Sequence, residues 1–316
     1  MAQEKNRLVF GPVPSRRLGR SIGINNIPPK ICTYSCAYCQ IGRTNNMQIE
    51  LRKLFDPIDV FEAVKNKVKK TIDRHEKIDF LTFVPDGEPT LDINLGKEID
   101  MLKSLKIKIA VITNSSMIWK KDVQQNLTKA DLVSLKIDTV SEDTWRKINR
   151  PHKKLHLSDI LTGLMEFSKN FSGDLITETM VIKGLNDNIL EFKGIADFIE
   201  KIKVKNCYLS IPTRPTSEKW VKPADEADVN QAYQLFKEKG LDIELLTGYE
   251  GNEFVFTGNA EDDLLAITSV HPMREDAVKE FLLKADSNWK LIERLIKQGK
   301  LVELSFRDNN FYIRKF

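Results

Sequence analysis

The stretch DPIDVFEAVKNKVKKTIDRHEKIDFLTFVPDGEP, residues 56–89, decides how the rest of the chain is read. Its first half sets Val60, Ala63, Val64, Val68 and Ile72 at i, i+3, i+4, i+8 and i+12, which is one face of a helix over Asp56–Arg74. The short apolar run Asp79–Pro85 follows and reads as a strand. Directly after it come Asp86-Gly87-Glu88-Pro89, acidic groups around a glycine that permits close backbone approach. Helix, strand and polar loop make one unit of an α/β sheet.

The unit repeats outward. Leu95–Leu105 reads as a helix and Ile107–Thr113 as a strand; Asp131–Asp138, Asp174–Ile182 and Asn206–Ile211 are further strands. Helices are expected at Leu157–Asn170, Asn188–Ile202 and Asp225–Lys239. Upstream, a Pro/Gly-rich lead-in (Gly11, Pro12, Pro14, Gly19) precedes a candidate first strand at Ser21–Asn25. Five interior strands separated by helices after that first one argue for a parallel sheet, open or rolled into a partial barrel. Polar residues and glycines gather just after the strands, where such folds place their chemistry.

Near Gly258–Asp263 the alternation stops. Two amphipathic helices around Ala277–Leu283 and Trp289–Gln298, then Leu301–Phe306 and Phe311–Arg314 about the turn Asp308-Asn309-Asn310, give the order of a winged helix-turn-helix. The expected organisation is a barrel domain over 1–260 and a winged-helix-like domain over 261–316. Lys290, Arg294 and Lys297 share one face of the second helix and are its recognition candidates.

At 316 residues, with 41% hydrophobic and 30% charged residues, the chain can bury a sizeable core and is not a disordered sequence. Its net charge of +4 permits a nucleic-acid partner without requiring one. The first residues hold no signal-peptide apolar run, and no stretch approaches the ~18 apolar residues of a membrane span. A cytoplasmic protein with no membrane partner is expected.

Four cysteines are too few for a disulfide framework in a chain this long, and three of them lie within eight residues: Cys32-Thr-Tyr-Ser-Cys36-Ala-Tyr38-Cys39. Three thiolates so spaced can wrap one corner of a cubane cluster and leave the fourth iron open. A structural zinc is the alternative, but it wants a fourth ligand. The remaining thiol, Cys207, sits in a strand-like run as a core residue, and the four histidines show no paired spacing.

This CxxxCxxC loop, with Tyr38 before its last cysteine, resembles the radical S-adenosylmethionine (SAM) superfamily. The resemblance implies a partial (β/α)6, TIM-like barrel carrying one [4Fe–4S] cluster on Cys32, Cys36 and Cys39. It implies SAM bound at the open iron and homolytic cleavage to a 5′-deoxyadenosyl radical. Asp86-Gly87-Glu88 resembles the superfamily's Gly-Gly-Glu element, which implies Gly87 and Glu88 at the SAM amino group, with Asp86 in place of the first glycine. Asn114, after the third strand, and Ser134, Lys136 and Asp138, alternating along the fourth, then fall where the ribose and carboxylate of SAM are held. Val181 or Ile182 falls against the adenine, with Glu178 pointing inward. Read without the resemblance, DGEP is a common turn and Asn114 or Ser115 a helix cap.

Arg16, Arg17, Arg20 and Arg43 flank the cysteine loop and either grip substrate phosphates or offset nearby acids; Arg214, after the last strand, either binds an anion or forms a salt bridge. These flanks, with Asn149-Arg150-Pro151-His152 and Ile211–Pro215, resemble a narrower group named for similarity to the wyosine-forming tRNA enzymes. The resemblance implies an external flavodoxin- or ferredoxin-like electron donor and a macromolecular substrate, tRNA being the first expectation. Those enzymes carry further N-terminal cysteines for a second cluster; this chain has none before Cys32. An activase placing a glycyl radical on a partner protein is a second reading, and an iron–sulfur redox sensor acting through the winged helix on DNA is a third. No residue stands out as a catalytic radical partner.

Overall fold

The computed structural model describes residues 8–248 and 251–315. Strands β1 (Val9–Ser15) and β2 (Gly19–Ile24) form an antiparallel hairpin. A short parallel pair, β3 (Ile31–Cys32) and β4 (Asn46–Met47), closes off the cysteine loop between them. Helix α1 (Pro57–Ile72) follows, capped by the Asp56 carboxylate on Ile58 N–H with Pro57 in the first turn, both good helix starts. The chain then runs through β5 (Phe80–Phe83), α2 (Leu95–Leu102), β6 (Lys108–Thr113), α3 (Lys121–Leu127), β7 (Leu132–Lys136), α4 (Glu142–Ile148) and α5 (Leu157–Asn170). Next are β8 (Asp174–Met180), α6 (Ile189–Lys201), β9 (Asn206–Ser210), α7 (Glu226–Glu238) and β10 (Ile243–Leu246).

One eight-stranded sheet has the order β1-β2-β5-β6-β7-β8-β9-β10, parallel from β2 onward. It curls into a half-barrel, as the sequence pattern allows, but with seven parallel strands where six were expected. β10 is the addition, and β1 lies in the lead-in that proline content disguised. An edge strand tolerates Pro12 and Pro14 because one of its sides needs no ladder hydrogen bonds.

The outward face of the sheet packs Leu81, Phe83, Val111, Val133 and Leu135 against the helices in one large core. The inward face carries a smaller apolar layer, Ala110, Leu132, Ile176, Tyr208 and Leu246, closed by Leu18 from the β1–β2 turn. Above it the inward residues turn polar: register sets Lys136 beside Glu178 and Glu178 beside Tyr208. That change from apolar floor to polar upper wall positions the site.

The C-terminal elements are α8 (Ala260–Val270), β11 (Met273–Arg274), α9 (Glu275–Lys284), α10 (Lys290–Lys297), β12 (Leu301–Phe306) and β13 (Asn309–Arg314), with a small sheet in the order β11-β13-β12. The hairpin turns at Arg307 and Asp308, with Arg307 at positive φ, one residue earlier than the sequence reading put it. Helix α8 was not foreseen. Arg294 does not stand free on its helix face, since its guanidinium donates to Glu261 of α8 at 2.8 Å.

Candidate functional site

The cysteine loop leaves the sheet at the C-terminal end of β2 and is held from three sides. Gln48 N–H donates to Cys32 C=O across the β3–β4 pair, and Thr44 Oγ1 to Tyr34 C=O at 2.6 Å. The end of α4 receives the loop through Ala37 N–H to Ile148 C=O and Ser35 N–H to Asn149 C=O. The segment after β9 clamps it through Ser217 Oγ, which donates to Cys36 C=O and Ala37 C=O at 2.9 Å each. Beneath, the buried Tyr34 ring meets Trp145 edge-on and its hydroxyl accepts the indole N–H. A loop tied this densely pre-orders its side chains.

Cys32, Cys36 and Cys39 are half-buried on this loop. Burial pushes all three thiols up, Cys36 to about 12, so none ionises readily alone. Two sulfurs nonetheless receive amide N–H groups: Asn114 Nδ2 lies 3.4 Å from Cys32 Sγ and Asn149 Nδ2 3.6 Å from Cys36 Sγ. Donors aimed at sulfur suit thiolates, and a cationic iron core would supply the charge that ionises them. Among the described residues no three His, Cys, Asp or Glu side chains form a single-ion site. A tetrahedral structural zinc would need a fourth ligand beside the three cysteines, and none is placed there among the described residues, whereas an iron–sulfur cluster with an open iron would need only Cys32, Cys36 and Cys39.

The DGEP loop is stitched to the strand that leads into the cysteines. Gly87 bridges Ile31, and Glu88 N–H donates to Ile31 C=O at 3.1 Å. A Cβ on Gly87 would lie 1.9 Å from that carbonyl oxygen, so the close approach the glycine allows is to the chain's own backbone. Glu88 is buried; its carboxylate accepts from Thr90 N–H, Thr90 Oγ1, Thr113 Oγ1 and Asn114 N–H. Burial still raises this carboxyl above its ordinary range. Asp86, beside it, is buried with both oxygens lacking a hydrogen bond and Lys30 Nζ at 4.0 Å; burial raises it to about 7.

Asp138 ties the loop to the sheet. Its carboxylate accepts from Tyr38 Oη at 2.6 Å, Asn149 Nδ2 at 2.7 Å and Met180 N–H at 2.9 Å. Lys136 Nζ stands 5.1 Å over the Tyr38 ring and donates to Glu178, which also takes Arg17. Burial lowers the Lys136 ammonium.

Between the loop and the barrel wall lies a cavity of about 270 Å³. Tyr38 and Cys39 form its roof, Lys136, Glu178, Met180 and Ser210 its wall, and Arg16, Arg17 and Arg214 bring positive charge to it. Of the SAM-contact residues expected from sequence, Tyr38 and Lys136 border the cavity, together with Cys39, the inward Glu178 and the arginines Arg16, Arg17 and Arg214 that the sequence also singled out. Gly87, Glu88 and Asn114 brace the cysteine loop from the neighbouring strand ends, Ser134 is buried, and Asp138 links Tyr38 to β8. Val181 lies wholly in the core on the outward side, while Met180 and Ile211 face the cavity. Met180 follows Glu178 by two residues along β8, and that alternation was available in the sequence. Arg20 is turned away, paired with Glu76 and Glu253.

Three similarities accord with this geometry. A UPF0026 protein of Methanocaldococcus jannaschii is 48% identical over 97% of this chain and 96% of its own. A probable dual-specificity RNA methyltransferase RlmN of Thermotoga petrophila is 24% identical over 69% of this chain and 65% of its own. The structure of TYW1 with a lysine–pyruvate adduct bound superposes with a TM-score of 0.53 at 20% identity, covering 69% of this chain and 73% of that one, a likeness of fold. The family model that matches, over residues 26–199, is that of the radical SAM superfamily. With the cysteine loop, the curled sheet and these matches together, the chain belongs to the radical SAM superfamily and is an enzyme that uses S-adenosylmethionine.

Proposed function

We propose that this enzyme cleaves SAM reductively at a single [4Fe–4S] cluster held by Cys32, Cys36 and Cys39 and uses the resulting radical on a macromolecule, RNA before protein. The observation that carries the reading is the convergence of three thiols on one loop, two of them with amide donors on sulfur and the third, Cys39, at a cavity lined by both charged and apolar residues. A bound cluster would supply the electron that breaks the sulfonium C–S bond to give methionine and a 5′-deoxyadenosyl radical. The chain's own residues do the rest. Asn114 and Asn149 hold two ligand sulfurs by hydrogen bonds, and the Asp138 carboxylate fixes Tyr38 at the cavity roof. Lys136 and Arg17, balanced by Glu178, offer the carboxylate of SAM a cationic wall. Gly87 and Glu88 set the strand end beside the cluster, and Asp86, whose oxygens take no hydrogen bond and have only Lys30 Nζ near them at 4.0 Å, is an acceptor for the SAM ammonium. Met180 and Ile211 give the adenine an apolar surface, the part first expected of Val181.

RNA is preferred because a relative in sequence is named an RNA methyltransferase and because arginines outnumber acids in the cavity. We read residues 1–260 as the catalytic barrel and 261–316 as a winged-helix-like domain that engages the substrate, in a protein of the cytoplasm. Anaerobic reconstitution, dithionite and SAM should yield 5′-deoxyadenosine; none above background would refute the cleavage. Deuterium transferred into 5′-deoxyadenosine from labelled cellular RNA, and not from the protein fraction, would establish the substrate class.

A further inference from the structure

A basic collar, a set of cations that do not line the cavity, gathers around the segments that hold the cysteine loop. The chain from residue 144 to 158 contains no Asp or Glu and runs alongside the loop. Pro151 bridges Tyr34, and His152 N–H donates to Thr33 C=O. Within it Arg150 is held at positive φ, one residue after the asparagine that donates to Cys36 Sγ. Lys153 and Lys154 follow Arg150 in the chain, Lys219 and Lys222 flank Trp220, and all four, with Arg43, are exposed; Glu50 is an acidic neighbour of Lys154. The acid at the collar's centre, Glu218, is buried and already taken by Arg43 Nε at 2.8 Å and Arg150 Nη1 at 2.5 Å. Trp220, 48% exposed, lies in the middle with the Arg150 guanidinium 5.8 Å from its ring.

This patch is mechanically part of the ligand loop. Glu218 N–H donates to Ala37 C=O and Ser217 Oγ to Cys36 C=O, so Trp220 stands three residues from a group that touches a cysteine's carbonyl. None of the collar's cations borders the cavity. A substrate being modified must enter the cavity, whereas an electron need only reach the loop. Nor does the chain hold a relay of its own, since Cys207, the one cysteine outside the loop, is buried in β9.

We infer that the collar formed by Arg43, Arg150, Lys153, Lys154, Lys219 and Lys222 around Trp220 is the docking surface of an acidic one-electron carrier protein of the flavodoxin or ferredoxin kind. The inference rests on the proposed cluster at Cys32, Cys36 and Cys39. Each encounter moves one electron: the carrier is oxidised by one and the cluster reduced by one, with no bond made or broken. Positive charge steers the acidic carrier, and an exposed aromatic at the centre gives the brief, small interface that electron transfer needs.

The test uses the reconstituted holoprotein and its Lys219→Glu/Lys222→Glu variant, with reduced flavodoxin as probe. Cluster reduction is followed by bleaching of its visible absorbance in the absence of SAM. The variant should be reduced by flavodoxin at least tenfold more slowly at low salt, with a flattened salt dependence, while dithionite reduces both proteins equally. Trp220→Ser should slow the flavodoxin reaction and leave the dithionite reaction unchanged. Equal flavodoxin rates in variant and parent would overturn the inference, as would unchanged rates accompanied by lost RNA binding. Because no SAM is present, normal cluster reduction without 5′-deoxyadenosine in the separate dithionite assay would count against SAM cleavage and not against this surface.

Discussion

Glu98, on the inward side of α2, is almost wholly buried with neither carboxyl oxygen in a protein hydrogen bond of good geometry. Burial drives it well above the ordinary carboxylate range, and the neighbouring Asp92 charge adds to the rise. Above the ordinary carboxylate range the folded chain therefore keeps a proton that the unfolded chain has lost. Folding stability contributed by this group is full in acid and falls as pH rises beyond that range. Glu98→Gln should remove the fall. We expect it to gain about 2 kcal/mol relative to the parent between pH 5 and pH 9, read by urea denaturation of the apoprotein; parallel pH profiles would refute the assignment. A second residue-scale expectation concerns Gly87. Its absent Cβ leaves room for a backbone oxygen, which cannot swing aside as a side chain does. Gly87→Ala should displace Ile31 and, with it, Cys32. Iron retained after reconstitution should drop by more than half while the far-ultraviolet circular dichroism stays that of the parent. At this scale the cysteines were legible because their spacing is local. Asn149 was not, because what gives it its role is a cysteine 113 residues away.

Among the elements, the parallel strands were legible wherever a β-branched or aromatic run lay between clear helices. β10 was missed because Ile243–Leu246 is only four residues long and is followed by a break in the alternation. β1 was missed because its prolines argue against a central strand and say nothing against an edge. The join between α1 and α8 shows what no single element's pattern can reveal. Lys67 Nζ donates to Asp263 Oδ1 and Thr257 Oγ1, each at 2.8 Å, with the lysine side chain mostly buried. Burial lowers the ammonium and the Asp263 charge partly restores it. Removing one partner strands the other, whereas removing both charges spares that penalty. Lys67→Met alone should cost about 3 kcal/mol, and Lys67→Met/Asp263→Asn less than the sum of the single changes by at least 1 kcal/mol. Additive losses in urea denaturation would show that the pair carries no coupling.

For the whole molecule, the change of rhythm near residue 260 marked where the C-terminal elements begin, but not what they pack on. Phe10 and Val13 of β1 lie in one apolar cluster with Phe254, Leu264, Ile267, Phe281 and Leu295. Val255 N–H also reaches toward Pro12 C=O. Phe10 additionally fills the space over Gly23, where a Cβ would sit 2.0 Å from its ring, so the same side chain belongs to the barrel hairpin and to the C-terminal core. A chain cut after residue 259 would expose that side of β1, and a C-terminal piece of about 60 residues would lose part of its only core, at a size where stability is already marginal. Fold and domain organisation are thus coupled through the strand the sequence hid. The truncated barrel should melt at least 10 °C below the parent and bind an apolar dye at temperatures where the parent does not. Co-expression of the two pieces should restore much of that loss by reassembly. A truncated barrel that melts with the parent and a C-terminal piece that unfolds cooperatively by itself would together show two independent domains, and would remove the shared cluster as a source of stability.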